Sequence, residues 1–412
     1  MAAIVFRARL GGETWWDRAA HGGESSPMHQ PHMVLVGAGH AHVFVLSQAN
    51  RLAAAGARVT LVAPSKLWYS GLATGMLGGA YSPAQEIIDA ATLARRRSVE
   101  FVCERVVQAD PTHHTLRCDS GVTLSYDFLS VNIGSEVALD AIVGAREHAC
   151  GVKPIGGLYD LRSRIESRFS NSNDPIRVTV VGGGAAGCEV AANLVALSER
   201  RRARIEVTIV TRAERLLTEW PRAAADTLAG ALRARDIQLE FECEVTRIDQ
   251  RQVEAAGGAK FRSDFVVVAT GLRPPHVLRE WGFALGEGGG LRVDEMLRSV
   301  GAAEVFAAGD CIEFGSRGLP KIGVFGVRQS PVLLHNLIAS VRGRPLRRYR
   351  PQREFLSILN LGRGEALALR GRRHWLGRTS LWLKDRLDRR FMAKYQTPPS
   401  ADGSDTDTAP VR

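Results

Sequence analysis

Residues 177–187 read RVTVVGGGAAG. The valine- and threonine-rich start suits an extended strand. Glycines at 182, 184 and 187 follow at once, and the run CEVAANLVALSERR after them predicts a helix. A second strand pattern, IEVTIV, occupies 205–210. Strand, glycine turn, helix and strand in this order form the opening unit of a dinucleotide-binding fold. Gly182 permits the tight turn, Gly184 lets a pyrophosphate approach the backbone, and Gly187 lets helix and strand pack closely. The helix start then turns unpaired N–H groups and a positive dipole end toward the phosphates.

Working outward toward the N-terminus, the same unit recurs 145 residues earlier. MVLV (33–36) meets Gly37-Ala38-Gly39-His40-Ala41-His42, a helical run VFVLSQANRLAAAG follows, and RVTLV (58–62) supplies the second strand. The match continues downstream. VEFVCERV (99–106) pairs with LEFECEVTRI (239–248), and YDFLSVNIG (126–134) pairs with SDFVVVATG (263–271). Matched features in one order predict two homologous nucleotide-binding domains of α/β, Rossmann type. A further nucleotide signal, VFAAGDC (305–311), comes after the second copy. Its position predicts that one domain is inserted in the other. The expected division is 33–150 with 290–335 for the first domain and 151–289 for the second.

The copies depart from the full motif in two ways. His42 stands where the third glycine belongs, so its side chain is expected to part helix from strand or to point outward. His40 and His42 are candidates for phosphate or substrate contact, or else plain turn and helix-start residues. No acidic residue closes either second strand to hold the adenosine ribose. The first copy offers Ala63-Pro64-Ser65, the second Thr211-Arg212 with Glu214 beyond. Arg212 could take a 2′-phosphate or lie solvated on its loop, which leaves NADH and NADPH both open.

The rest of the chain of 412 residues bounds the function. No apolar run approaches the ~20 residues a membrane-spanning helix needs. Residues 1–32 read as a flexible extension without a secretory signal, and 396–412 as a disordered, Pro-rich tail. The six cysteines (103, 118, 150, 188, 243 and 311) show no CxxC spacing and no zinc-type cluster with histidine. No metal is expected, and a reducing cytoplasm is the expected location. Residues 341–395 carry 16 Lys and Arg against 4 Asp and Glu, so the net charge of +11 belongs to this segment. FLSILNLG, EALALRG and WLKDRLDRRFMAKY within it predict two strands and a helix, a small α+β domain over 336–395. Its bases and aromatics fit a peripheral element on the inner face of a membrane. They equally fit a solvated helix packed on the other domains or on the second copy of a homodimer. No nucleic-acid recognition motif accompanies the charge.

The paired glycine motifs, Ala269-Thr270-Gly271 and Gly309-Asp310 together resemble the pyridine nucleotide-disulfide oxidoreductase superfamily of two-dinucleotide flavoproteins, from 33 to 335. The phrases VLVGAGHAHVFVL, WYSGLATGML, GVKPI, KIGVFGVRQSPVLLHNL and KDRLDRRFM are similar to flavoproteins related to type II NADH:quinone oxidoreductases. That group includes the flavoprotein domain fused to selenide, water dikinase. The resemblance implies FAD at Gly37, Ala38, Gly39, His40, Asn132, Gly134, Gly309 and Asp310, with Asp310 on the ribityl chain. It implies NAD(P)H at Gly182, Gly184, Gly187, Glu189, Arg212, Thr270 and Gly271. Lys321, Arg328, Gln329 and Cys311 are candidates for contact with the flavin or the acceptor. The implied activity is hydride uptake from NAD(P)H and electron delivery to a quinone or another small acceptor. The CxxxxC or CxxC pair of disulfide reductases is missing, so an internal thiol relay is not expected. A sulfide- or persulfide-oxidising flavoprotein using Cys150 or Cys311 is one alternative. A non-catalytic redox-sensing nucleotide-binding protein is the other.

Overall fold

The computed structural model describes residues 30–171, 174–315 and 318–396. The expectations for 1–29 and 397–412 therefore lie outside the described residues. Five strands build the first sheet. Strands β1 (His32–Val36) and β2 (Arg58–Val62) flank the first glycine turn and helix α1 (His40–Ser47), and β3 (Glu100–Val102) and β4 (Phe128–Val131) follow. The second sheet opens with β5 (Ala149–Gly151), before helix α2 (Gly156–Asn171). It continues through β6 (Ile176–Val181), helix α3 (Ala185–Arg201), β7 (Ile205–Val210), β8 (Gln238–Glu240) and β9 (Phe265–Val268). The chain then returns to the first sheet with β10 (Val305–Ala307) and enters helix α4 (Gly323–Val341).

Both sheets are parallel, in the orders β10-β4-β1-β2-β3 and β5-β9-β6-β7-β8. Four strands of each therefore match in order, and the paired Asp-Phe steps are equivalent. Asp127 accepts from the His32 amide at 2.7 Å, and Asp264 accepts from the Arg177 amide at 2.8 Å. Each carboxylate thus ties the start of the central strand to its neighbour. The fifth strand differs. The first sheet takes it from far downstream and the second from just upstream, as an insertion requires. The crossings fall earlier than the expected division. Ala149–Gly151 already pairs in the second sheet, and Leu278, Trp281 and Phe283 already pack in the first core.

The C-terminal unit has one strand more than expected. Leu356–Asn360 (β11), Ala366–Arg370 (β12) and Arg373–Gly377 (β13) form an antiparallel sheet before helix α5 (Arg378–Tyr395). Gly371-Arg372 makes the two-residue turn into β13, with Gly371 at φ +58°. That left-handed conformation suits the first position of a tight hairpin turn. The run RHWLG lies between EALALRG and WLKDRLDRRFMAKY, the stretches that read in sequence as strand and helix.

One buried carboxyl makes the fold sensitive to pH. Glu86 ends the short helix Pro83–Glu86, is fully buried, and has neither oxygen hydrogen-bonded among the described residues. Burial pushes it from 4.5 up to about 8. The folded protein therefore holds a proton that the unfolded chain releases. Stability is full below the ordinary carboxyl range and falls as pH rises toward about 8. Glu86→Gln is expected to match the parent in denaturant melts at pH 4.5 and to exceed it by roughly 2–4 kcal/mol at pH 8. An equal difference at both pH values would contradict the assignment.

Candidate nucleotide and redox site

The first glycine turn is built around one asparagine. Gly37 takes φ +86° and donates to Val62 O at 2.8 Å, and Gly39 donates to Asn132 O at 3.1 Å. Asn132 Oδ1 accepts from the Ala41 and His42 amides at 3.1 and 3.2 Å, which caps α1. Its Nδ2 donates to Ala308 O at 2.6 Å, so one buried side chain ties β4 and β10 to the turn. A Cβ on Gly37 would stand 2.5 Å from Asn132 O, and one on Gly39 2.5 Å from Asn132 Oδ1. Only glycine fits at either position.

His42 does not point outward. It is fully buried, with Nδ1 2.6 Å from Gly37 O and Nε2 2.8 Å from Ser130 Oγ. Burial lowers it to about 4 against the pull of the Gly37 carbonyl, so the ring stays neutral and cross-links the turn. The imidazole fills the space a third glycine would leave.

A cavity of about 610 Å³ opens from this turn. Gly37, Ala38, Gly39, His40, Asn132 and Gly134 line it, as do Gly309 and Asp310. All eight residues expected at FAD thus meet in one place. The decisive partner of Asp310 was not among them. Lys153 Nζ lies 2.6 Å from Asp310 Oδ2 and donates to Ser135 Oγ at 2.8 Å, and Ser135 in turn donates to Asp310 at 2.9 Å. Burial works to raise the Asp310 carboxyl, but Lys153 overcomes it and holds the group below its ordinary range. The only sequence signal for Lys153 was its place in the phrase GVKPI.

Two of the remaining candidates act on the frame of the cavity. Lys321 donates to Asp310 O at 2.7 Å, and Gln329 Oε1 accepts from the Gly309 amide at 2.7 Å. Both fix the Gly309-Asp310 turn, and neither lines the cavity. Arg328 is exposed. Cys311 is buried, with its thiol against Val131 O and Ala308 O, and burial pushes it up to about 11. Cys150 donates to Gly151 O and Gly157 O and is also pushed up to about 11 by burial. Neither cysteine lines the cavity or favours the nucleophilic thiolate.

The second glycine turn keeps the full motif. Gly182 takes φ +124° and donates to Val210 O at 2.8 Å. A Cβ on Gly187 would overlap Gly182 O, whereas one on Gly184 would meet nothing within 4 Å. The turn is therefore tight on its inner side and open where a phosphate would come. Thr270 and Gly271 lie exposed beyond β9, and Arg212 exposed beyond β7. Glu189 accepts from Thr74 Oγ1 at 3.4 Å and from the Asn360 amide at 2.6 Å. Burial raises its carboxyl to about 6 while Lys384 pulls it down. It joins the second domain to the first and to the C-terminal sheet.

Helix α5 packs on Tyr69, which lies between the cavity residues Trp68 and Ser70. Tyr69 stacks on Phe391 at 4.5 Å, its hydroxyl donates to Asp388 at 2.9 Å, and Lys384 Nζ holds Asp388 at 2.7 Å. The apolar residues of α5 divide between two surroundings. Phe391 and Met392 pack inward, while Trp382 and Leu387 stand 61% and 48% exposed.

The family model of the pyridine nucleotide-disulphide oxidoreductases matches residues 31–336. A demethylphylloquinone reductase of Synechocystis is 26% identical over 248 residues, covering 57% of this chain and 60% of that protein. The external alternative NAD(P)H-ubiquinone oxidoreductase B2 of Arabidopsis thaliana mitochondria is 22% identical over 270 residues, covering 57% of this chain and 46% of that protein. The chain thus spans about half of the curated relatives it matches. Among solved structures, NDH2 of Plasmodium falciparum in complex with NADH shares the fold at a TM-score of 0.75 with 15% identity, over 89% of this chain and 98% of that one. The sulfide:quinone oxidoreductase of Aquifex aeolicus does so at 0.74 with 17% identity, over 89% and 91%.

Proposed function

The chain belongs to the pyridine nucleotide-disulphide oxidoreductase family, and we propose that it is an FAD-dependent oxidoreductase that takes hydride from NAD(P)H and passes electrons to a quinone. The observation that carries this reading is the cavity between the Gly37–Gly39 turn and Asp310, together with a second, open glycine turn elsewhere in the chain. The residues present fit a flavin dinucleotide. The cradle admits no Cβ at 37 or 39, and a held carboxylate faces the same space. When bound, the flavin supplies the two-electron chemistry that no side chain here offers.

The chain's own residues bind, orient and exclude. Asp310, kept ionised by Lys153, offers acceptor oxygens to ribityl hydroxyls. Lys153 places a positive charge in the cavity, where negative charge on a reduced cofactor would be stabilised. Lys321 and Gln329 keep the Asp310 turn in position. The turn at Gly182–Gly187 takes the nicotinamide dinucleotide's pyrophosphate, with Thr270 and Gly271 beside it. Arg212 is the candidate for a 2′-phosphate. The names of the quinone-reducing relatives support the acceptor class, and the raised thiols of Cys150 and Cys311 weigh against the sulfide alternative. The test is oxidation of NADH or NADPH by the flavin-loaded protein coupled to reduction of a short-chain benzoquinone. Turnover with quinone is the expected result, and reoxidation by none of a series of quinones would overturn it.

The reading extends to a membrane surface. No helix among the described residues is long and apolar enough to cross a bilayer. Trp375, Leu376, Trp382 and Leu387 are exposed among Arg372, Arg373, Arg378, Arg386 and Arg390. Exposed aromatic and aliphatic side chains on elements rich in arginine suit an anionic headgroup layer. Trp382→Glu combined with Leu387→Glu is expected to weaken co-sedimentation with phosphatidylglycerol vesicles ~10-fold or more. Unchanged binding would remove this surface from the account.

A further inference from the structure

The second domain carries a hollow that the redox chemistry does not use. It is a recess of about 900 Å³ at the N-terminal ends of β5 and β9, where Ala149 and Phe265 begin their strands. The Gly182 turn follows the last residue of β6, at the opposite end of the same parallel sheet. Dinucleotides bind such sheets at the carboxyl ends of the strands, so the hollow is a separate place. Four arginines line it. Arg164 and Arg168 stand one helical turn apart on α2. Arg251 and Arg262 come from the paired strands Gln252–Ala255 and Lys260–Arg262, Arg251 just before the first. All four are exposed, and among the described residues none of their guanidinium groups has a carboxylate or other hydrogen-bond partner. Arg162 on the same helix differs, since it and Arg201 both hold Glu166. Arg164 lies 5.2 Å over the Phe265 ring, which orients its guanidinium. Two carboxylates also line the hollow, Glu147 and Asp264, and Asp264 accepts from the Arg177 amide at 2.8 Å. Four arginines against two carboxylates leave a net charge of +2 before His148 is counted. Among the described residues that line it, Ala149 and Phe265 alone are apolar.

Guanidinium groups bind phosphate oxygens through paired N–H donors. Two arginine pairs on separate elements suit an anion with more than one phosphate group. The volume falls within the roughly 300–1,000 Å³ of small-molecule sites, more than a single phosphate needs. We propose that this hollow binds a small polyphosphate, a molecule with two or more linked phosphate groups. Arg164 and Arg168 hold it from α2, and Arg251 and Arg262 hold it from the strand pair. Ser163, Ser167 and Gln250 supply neutral hydrogen-bonding groups beside them. The site is distinct from both glycine turns and does not depend on which acceptor the flavin reduces.

Isothermal titration of tripolyphosphate into the FAD-loaded protein tests it. Ionic strength is held constant, and saturating NAD⁺ and NADP⁺ keep the probe from the second glycine turn. The expected result is one ion per chain, bound at least ~10-fold more tightly than inorganic phosphate. Arg164→Gln combined with Arg251→Gln should weaken binding about 10²-fold. Arg168→Gln combined with Arg262→Gln repeats the test on the other two arginines. Parental melting temperatures without the probe show that these variants fold. Arg372→Gln combined with Arg373→Gln removes equal charge from the exposed C-terminal hairpin and should leave the affinity within about threefold. A flat titration of the parent, equal weakening in the hairpin variant, or undiminished affinity in both hollow variants overturns the proposal. Equal affinity for phosphate and tripolyphosphate also overturns it, because the hollow then takes an adventitious ion only. The redox reading is measured separately, by reduction of the flavin with NAD(P)H, and survives any of these failures.

Discussion

Gly187→Val is expected to slow flavin reduction by NADH and by NADPH ~10²-fold or more while the purified protein stays yellow. A side chain at 187 has no room, because its Cβ would overlap the Gly182 carbonyl oxygen that closes the turn. Helix α3 must then move away from β6, and the turn that would receive the nicotinamide dinucleotide moves with it. A displacement of ~1 Å in a positioned reactant costs about 10²-fold in rate. The first domain has its own glycine turn and its own core, so flavin content should not change. Rapid-mixing absorbance near the flavin band measures the rate, and the ratio of flavin to protein absorbance measures loading. Gly187→Ala makes the same comparison with the smallest possible side chain. Undiminished reduction in both variants would show that the second turn does not hold the reductant.

Asp310→Ala is expected to do the reverse, giving a protein that is colourless as purified. Asp310 is the carboxylate held in the cavity by Lys153 and Ser135. Its loss removes a charged acceptor, worth ~1.5–3 kcal/mol, from the cofactor's ribityl hydroxyls. It also leaves the partly buried Lys153 ammonium without its counter-charge. Affinity for added FAD should fall about 10- to 100-fold, read by fluorescence quenching on titration into the stripped protein. Asp310→Ala combined with Lys153→Met should regain melting temperature relative to Asp310→Ala without regaining affinity, because the two losses have different causes. A yellow Asp310→Ala protein with parental affinity would take Asp310 out of the flavin site.

The duplication was legible because backbone geometry repeats in sequence. The Asp-Phe steps at 127–128 and 264–265 tie equivalent strands with equivalent hydrogen bonds, so the same short pattern had to recur. The glycine turns were legible for the same reason, since positive φ and forbidden Cβ positions leave a mark in composition. Side-chain partners chosen across long chain distances left no such mark. Lys153 meets Asp310 from 157 residues away, and no local pattern announces the pair. His42 looked like an obstruction because its place belongs to a glycine, yet Gly37 O and Ser130 Oγ make it a cross-link. Glu189 follows the glycine motif in sequence, and its carboxylate meets Thr74 and Asn360. Cys311 adjoins Asp310 in the chain and faces the opposite way, into the core.

The central claim is that one chain holds a flavin and a nicotinamide cofactor in electronic contact. Anaerobic titration of the purified protein with NADH, and then with NADPH, followed by its visible spectrum, tests this most directly. The account predicts a bound flavin that bleaches with one equivalent of at least one of the two nucleotides. A protein that can neither be isolated with FAD nor reconstituted with it, or a bound flavin that both nucleotides leave oxidised, would contradict it.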